Sequence, residues 1–278
     1  MACRKFPAAI AFVAAWCMGV GAQAHDASKY PDWKGRWLRT TAGSFDPDRG
    51  AGLRQEPPLT AEYQAMFQAS LAAQAAGGQG NDPMARCIPP GMPRMMIVYG
   101  LGIEILITPE TTYMVFGEPM FQFRHVHTDG RSWPDKMTPT FSGYSIGQWE
   151  DRDGDGRYDT LAVETRAIKG PRAYDSSGIP FHKDGRTIVK ERIYLDGTNR
   201  TILHDDVTVM DNALTRPWTV KRTYTRKDPV WLETICGEDQ HQAKIGNEDY
   251  YVSGDGYLMP TRKDQPPPDL RNFEPGPK

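Results

Sequence analysis

From about residue 95 to residue 236 the chain is written in short runs of period two, separated by turn residues. Ile103, Ile105 and Ile107 alternate with polar or opposite-facing neighbours, and β-prone runs follow at Thr111–Phe116, Phe121–Val126, Ser142–Glu150, Thr160–Thr165 and Arg186–Leu195. Further runs lie at Arg200–Met210, Trp218–Thr225 and Val230–Cys236. Thr128-Asp129-Gly130, Asp184-Gly185, Asp196-Gly197 and Asp211-Asn212 supply turns between them. About nine or ten short strands joined in this way predict an all-β unit, a single antiparallel barrel over residues 95–245. No alternation of strand with helix is present, which excludes doubly wound and (β/α)8 architectures.

The flanks read differently. Arg4 and Lys5 precede an apolar run from Phe6 to Val20, and Ala22-Gln23-Ala24 supplies a small-residue cleavage pattern. Residues 1–24 are therefore expected to be a signal peptide, placing the mature chain in the periplasm or outside the cell. The apolar run is short for a membrane-spanning helix, so stable membrane insertion is not expected. Trp16 is too large for the position before a lipid-modified Cys17. Residues 25–94 form an N-terminal arm in which Trp33-Lys34-Gly35-Arg36-Trp37 can start a strand. Within the arm, Thr60 is a plausible N-cap for a helix over about 60–76, with Tyr63, Met66, Phe67, Ser70 and Leu71 at helical spacing. Gly77-Gly78 ends it, and the Gly/Pro-rich stretch 246–278 reads as a disordered or strapped tail.

With 33 Lys plus Arg against 35 Asp plus Glu, the net charge is -2, which disfavours nucleic acid as a partner. Four cysteines are present, of which Cys3 and Cys17 belong to the leader. Cys87 and Cys236 are then expected to pair in an oxidising compartment, the alternative being two buried thiols.

Several stretches are familiar together. Cys87-Ile-Pro-Pro-Gly-Met-Pro-Arg94, Thr128-Asp-Gly-Arg131 and Gly143-Tyr-Ser-Ile-Gly-Gln-Trp-Glu150 lead into Asp159-Thr-Leu-Ala-Val-Glu-Thr165 and Arg216-Pro-Trp-Thr-Val220. With Gly35-Arg36-Trp37 near the start, the chain resembles a large family of secreted, functionally uncharacterised bacterial proteins over roughly residues 30–240. The resemblance implies membership and export, not an activity. The barrel pattern is similar to lipocalin-like folds in shape alone. Two departures stand out: Tyr144 occupies a position where the family has His, and Asp151–Tyr158 replaces a short Gly-Asp link.

The candidate chemistry follows from which side chains share a strand face. Phe121, Phe123, His125 and His127 share one by the period-two rule, suggesting an apolar interior that turns polar near a barrel mouth. Val189, Glu191, Ile193 and Leu195 share another, so Glu191 needs a buried partner. Arg222, on a face with Trp218, Val220 and Tyr224, is the candidate. A structural Glu–Arg pair and an acid–base site with a cationic clamp are both open at this point. In Arg200–Met210, Leu203, Asp205, Val207 and Val209 form the more apolar face, which leaves His204 and Asp206 toward solvent.

Asp151, Asp153, Asp155 and Asp159, with Gly156, match the first nine positions of a Ca²⁺ loop. Ala162 stands where the bidentate Glu belongs, so weak Ca²⁺ binding and an acidic, solvated hairpin tip without an ion are both open. The spelling Gly143-x-Ser145-x-Gly147 mimics a nucleophile elbow but lies in a strand, so both glycines are read as bulge or close-packing positions. The first functional expectation is a cofactor-free lyase, such as a decarboxylase, or an isomerase acting on a small aromatic or apolar carboxylic acid. His125, His127, Glu191 and Arg222 would carry the chemistry, and Tyr144, Trp149, Trp218 and Tyr224 would line the ligand. The alternatives are a non-catalytic carrier of the same ligand class and a calcium-stabilised envelope protein.

Overall fold

A computed structural model describes residues 26–40, 57–97, 102–117, 122–228, 242–253 and 257–271. The expected leader at 1–24, Cys236 and the run 230–236 lie outside the described residues, and with Cys236 the expected disulfide. The chain opens with strand β1 (Arg36–Arg39), helix α1 (Ala61–Ala75) and one helical turn, α2 (Arg94–Ile97). Strands β2 (Ile103–Ile107), β3 (Thr111–Phe116), β4 (Phe123–His127), β5 (Tyr144–Glu150) and β6 (Thr160–Arg166) follow. Then come β7 (Ile188–Leu195), β8 (Ile202–Met210) and β9 (Trp218–Lys227). These nine strands form one closed barrel in sequence order.

Closure depends on β1. It pairs antiparallel with β9 at four positions, from Arg36↔Lys227 to Arg39↔Tyr224, and with β2 at Arg36↔Glu104 and Trp37↔Ile103. The G-x-W element is thus a stave of the barrel, not only part of an external arm. Every other neighbouring pair is antiparallel except β4–β5, which run parallel at Val126↔Ser145 and His127↔Ile146. The expected fully antiparallel order fails at this step because a long link, residues 128–143, replaces a hairpin. Parallel neighbours require a crossover of that kind.

The buried face of each strand lines the interior. Ile103, Met114, Val126, Leu161, Val189, Ile193, Leu203, Val207, Val209 and Val220 meet there, with Trp37 and Trp149. Met92, Met95 and Met96, beside and within α2, join this core, and the Tyr224 hydroxyl donates to the Met96 carbonyl. Gly147 is a close-packing position: a Cβ there would stand 2.6 Å from Val126 Cγ1, across the β4–β5 pair. Gly143 has φ 71 and no room against Thr165, so it starts β5 with a turn that only glycine adopts readily.

α1 packs outside the barrel on Tyr63, Phe67 and Ser70, with the Thr60 hydroxyl accepting from the Tyr63 N–H. Its entry is fixed by the Thr60 N–H donating to the Ala213 carbonyl at 2.8 Å. The stretch after 246 departs from expectation. Strands β10 (Gln242–Ile245), β11 (Glu248–Val252) and β12 (Leu258–Pro260) make a second, three-stranded sheet around buried Tyr250. Glycine and proline content masked this sheet, whose strands are only three to five residues long.

Candidate functional site

Two places gather chemistry-bearing side chains: the barrel interior and a cleft on its outer wall. In the interior, Glu191 on β7 is paired with Arg124 on β4. Arg124 Nη1 donates to Glu191 Oε1 at 2.9 Å and Nη2 donates to the Thr165 hydroxyl at 2.9 Å. The Ser145 hydroxyl, 2.8 Å from that of Thr165, accepts from Arg124 Nε at 3.4 Å. Ser145 is therefore a buried hydrogen-bonding group, not an exposed nucleophile. Asp205 on β8 and Arg222 on β9 are register partners, both inside. Arg222 donates to the Tyr174 hydroxyl at 3.0 Å. Both Asp205 carboxylate oxygens are buried with no hydrogen-bond partner among the described residues. Burial pushes the Asp205 carboxyl well above its ordinary range and the Glu191 charge adds to this, while the guanidinium of Arg124 pulls the other way. Burial likewise raises the Tyr174 hydroxyl to about 12.

The constellation expected from the sequence is not assembled. Glu191 and Arg222 point inward, but His125 and His127 lie on the opposite face of β4, whose inward residues are Arg124 and Val126. Phe123, on the same outer face as the histidines, is 65% exposed. His125 packs edge-on against Tyr113 at 5.0 Å, and His127 against Tyr144 at 5.0 Å. Burial lowers the His127 pKa, and the nearby Arg131 charge lowers it further. The ligand candidates are divided as well. Trp218 stacks inside on Tyr174 at 4.5 Å, and Tyr224 is held by the Met96 carbonyl. Tyr144 is outside, 6.0 Å from Trp133, and Trp149 reaches the outer cleft.

That cleft has a volume of about 980 Å³. Its floor is built from the outward positions of five consecutive strands: Gln148, Glu164, Arg192, Asp206 and Thr219 mark β5 to β9 in turn. Its wall is the crossover, through Thr128, Gly130, Arg131 and Trp133. The parallel β4–β5 step that forces this long link thus also creates the cleft's wall. At one end Tyr30, Trp149 and Tyr158 cluster, with Tyr30 5.3 Å from Trp149 and 5.2 Å from Tyr158. The Trp149 indole N–H is buried and has no acceptor among the described residues. The charges of the cleft are internally matched: Glu164 pairs with Arg166 and Lys190, and Arg131 pairs with Asp129. The Arg166 guanidinium also covers the Trp133 ring at 4.3 Å.

Sequence reasoning missed Arg124, Tyr30, Trp133 and Tyr158 as site residues. A signal existed for the wall, since Thr128-Asp-Gly-Arg131 already stands out in the sequence as a turn followed by a cation. In the loop before β6, ligand oxygens of Asp151, Asp153 and Asp159 converge within 4.8 Å. Asp155 stands apart from that group, accepting the Arg157 N–H at 2.8 Å. Comparison with known proteins returns no match: no family model, curated protein or solved structure is similar to this chain.

Proposed function

We propose that this protein is a small-molecule-binding protein whose ligand lies in the cleft across β5–β9. The ligand class is a planar aromatic compound that carries a hydrogen-bond acceptor and little net charge. The observation that carries this reading is the aromatic cluster of Tyr30, Trp149 and Tyr158 at the edge of a cleft large enough for a small molecule. Balanced charges on the floor favour orientation of polar substituents over capture of an ion. Titrating aromatic acids, amides and phenols against tryptophan emission tests it. Saturable binding is expected, weakened about fivefold in Trp149→Phe, which replaces the indole by a smaller ring and loses aromatic contact worth about 1 kcal/mol. Trp133→Ala is expected to weaken it further. Binding that is indifferent to both substitutions would end this reading.

A cofactor-free lyase or isomerase is the second reading, now favoured by one interior feature. Asp205 and Arg222 are register partners buried in the barrel interior, which sets a carboxyl beside a cation, the pair such chemistry needs. Release of carbon dioxide from an aromatic carboxylate, abolished in Asp205→Asn with the fold retained, would support it. No turnover across that panel would leave binding as the function.

A further inference from the structure

A second cavity, of about 670 Å³, lies away from the β5–β9 cleft, between α1, the loop after β6 and β10. Its charged lining is one-sided. Arg86, Lys169, Arg172, Lys183 and Lys244 contribute five cationic side chains, and Asp184 the one carboxylate among the described residues. This concentration occurs in a chain whose net charge is -2, so it is local and not a consequence of a basic protein. The Asp184 carboxylate is already engaged, accepting the Arg186 N–H at 3.0 Å and an Asn212 amide N–H. It balances one of these charges, and Asp211 at 3.7 Å from Arg172 and Asp249 at 4.0 Å from Lys244 balance two more, which leaves an excess of two positive charges.

Arg172 forms the buried back of the cavity, with 4% of its side chain exposed. It donates to the Thr187 hydroxyl and to the His182 carbonyl and is ion-paired with the Asp211 carboxylate at 3.7 Å. Its Nε is buried with no hydrogen-bond partner among the described residues. The rest of the lining is mostly apolar, with Met66, Ile168 and Phe181, and also holds Asn81 and His182. A concave site that joins an apolar wall to a cationic rim selects a molecule with both characters.

We infer that this cavity binds an amphipathic organic anion, with its apolar body against Phe181 and Ile168 and its carboxylate or other oxyanion among Arg172, Lys169 and Lys183. The site is separate from the β5–β9 cleft and does not depend on the function proposed for that cleft. Arg172 supplies the recessed donor, and the exposed lysines supply attraction that salt screens. A neutral molecule of equal apolar size should gain the wall but not the rim.

The test compares decanoate with decanol on the mature chain by titration calorimetry, in wild type and in the double variant Arg86→Glu/Lys183→Glu. Both changed residues are exposed, so the fold is expected to persist, and an unchanged Tm confirms it. Decanoate is expected to bind about tenfold or more tightly than decanol, and the double variant to lose about tenfold of that affinity, equivalent to about 1.4 kcal/mol. Raising salt should weaken decanoate alone. Equal binding of decanoate and decanol, no decanoate binding, or decanoate binding unaltered in the folded double variant would each overturn the proposal. Trp149→Phe should leave decanoate binding unchanged, which separates failure here from failure at the outer cleft.

Discussion

Arg124 and Glu191 are charged side chains with 1% and 0% of their surface exposed, on strands that are not neighbours. Such a pair is costly to bury and costlier to break. Arg124→Ala should lower stability by about 3–5 kcal/mol, because Glu191 would remain buried without its counter-charge. The double variant Arg124→Met/Glu191→Leu should recover most of that loss, since both charges leave together and the Ser145 and Thr165 hydroxyls still bond each other. Denaturant unfolding of the three proteins decides it: a double variant no more stable than Arg124→Ala would mean the pair itself is required. Asp205 makes a pH prediction with a definite sign. Its folded pKa lies above the ordinary value of 3.8, so between the two values the folded state holds more protons than the unfolded state. Its contribution is fully present below the unfolded pKa and is lost as pH rises through the folded one. Asp205→Asn should therefore be relatively more stable at pH 8 than at pH 4, measured against wild type by Tm. A difference that does not vary with pH would show that Asp205 titrates normally. These residues also mark the limit of sequence reading. Glu191 stood out because its own strand face is aliphatic. Arg124 did not, because its strand places Phe123 and His125 on the other face and its partner is 67 residues away.

Between elements, the β4–β5 parallel step organises both the core and the outer cleft. Turn chemistry made the strands and the helix legible: Thr60 does cap α1, and Asp-Gly or Asn turns do separate the late strands. What local sequence could not show was that residues 128–143 return to the same end of the sheet, since that depends on strand pairing far from the turn. The cleft and its aromatic wall were hidden for the same reason. The loop 151–159 belongs to this scale too, as the link between β5 and β6. We propose that it takes Ca²⁺ weakly. Three carboxylates converge there, while the Gly154 and Gly156 N–H groups donate to both oxygens of Asp151 at 2.8 and 2.9 Å and compete with the ion, which keeps the affinity low. Millimolar Ca²⁺ should raise Tm by a few degrees, EDTA should reverse it, and Asp159→Asn should abolish the shift. A wild-type Tm identical in Ca²⁺ and EDTA would leave the loop as a self-bonded turn, whose own amides satisfy its carboxylates.

At the scale of the whole molecule, the barrel is closed by a strand of four residues that begins the described chain's sheet and lies far in sequence from both its neighbours. Trp33 and Trp37 anchor it with 1% and 0% exposure, and the Trp37 indole N–H donates to the Trp33 carbonyl at 2.9 Å. Arg226 covers the Trp37 ring at 4.7 Å and pairs with Asp32, tying the same segment to β9 from outside. Truncating a buried large aromatic to alanine costs about 3–5 kcal/mol, against a total stability of about 5–15 kcal/mol for an ordinary domain. Trp37→Ala should therefore unfold cooperatively at a lower Tm. Deleting residues 25–40 removes both indoles and leaves β2 and β9 as open edges, which invite pairing with other chains. That deletion should abolish the cooperative transition and produce concentration-dependent association, followed by calorimetry and light scattering. A truncated chain that stayed monomeric and melted with the wild type would mean that β2 through β9 hold their shape as an open sheet. The first strand would then cover the barrel seam without being needed to form the barrel.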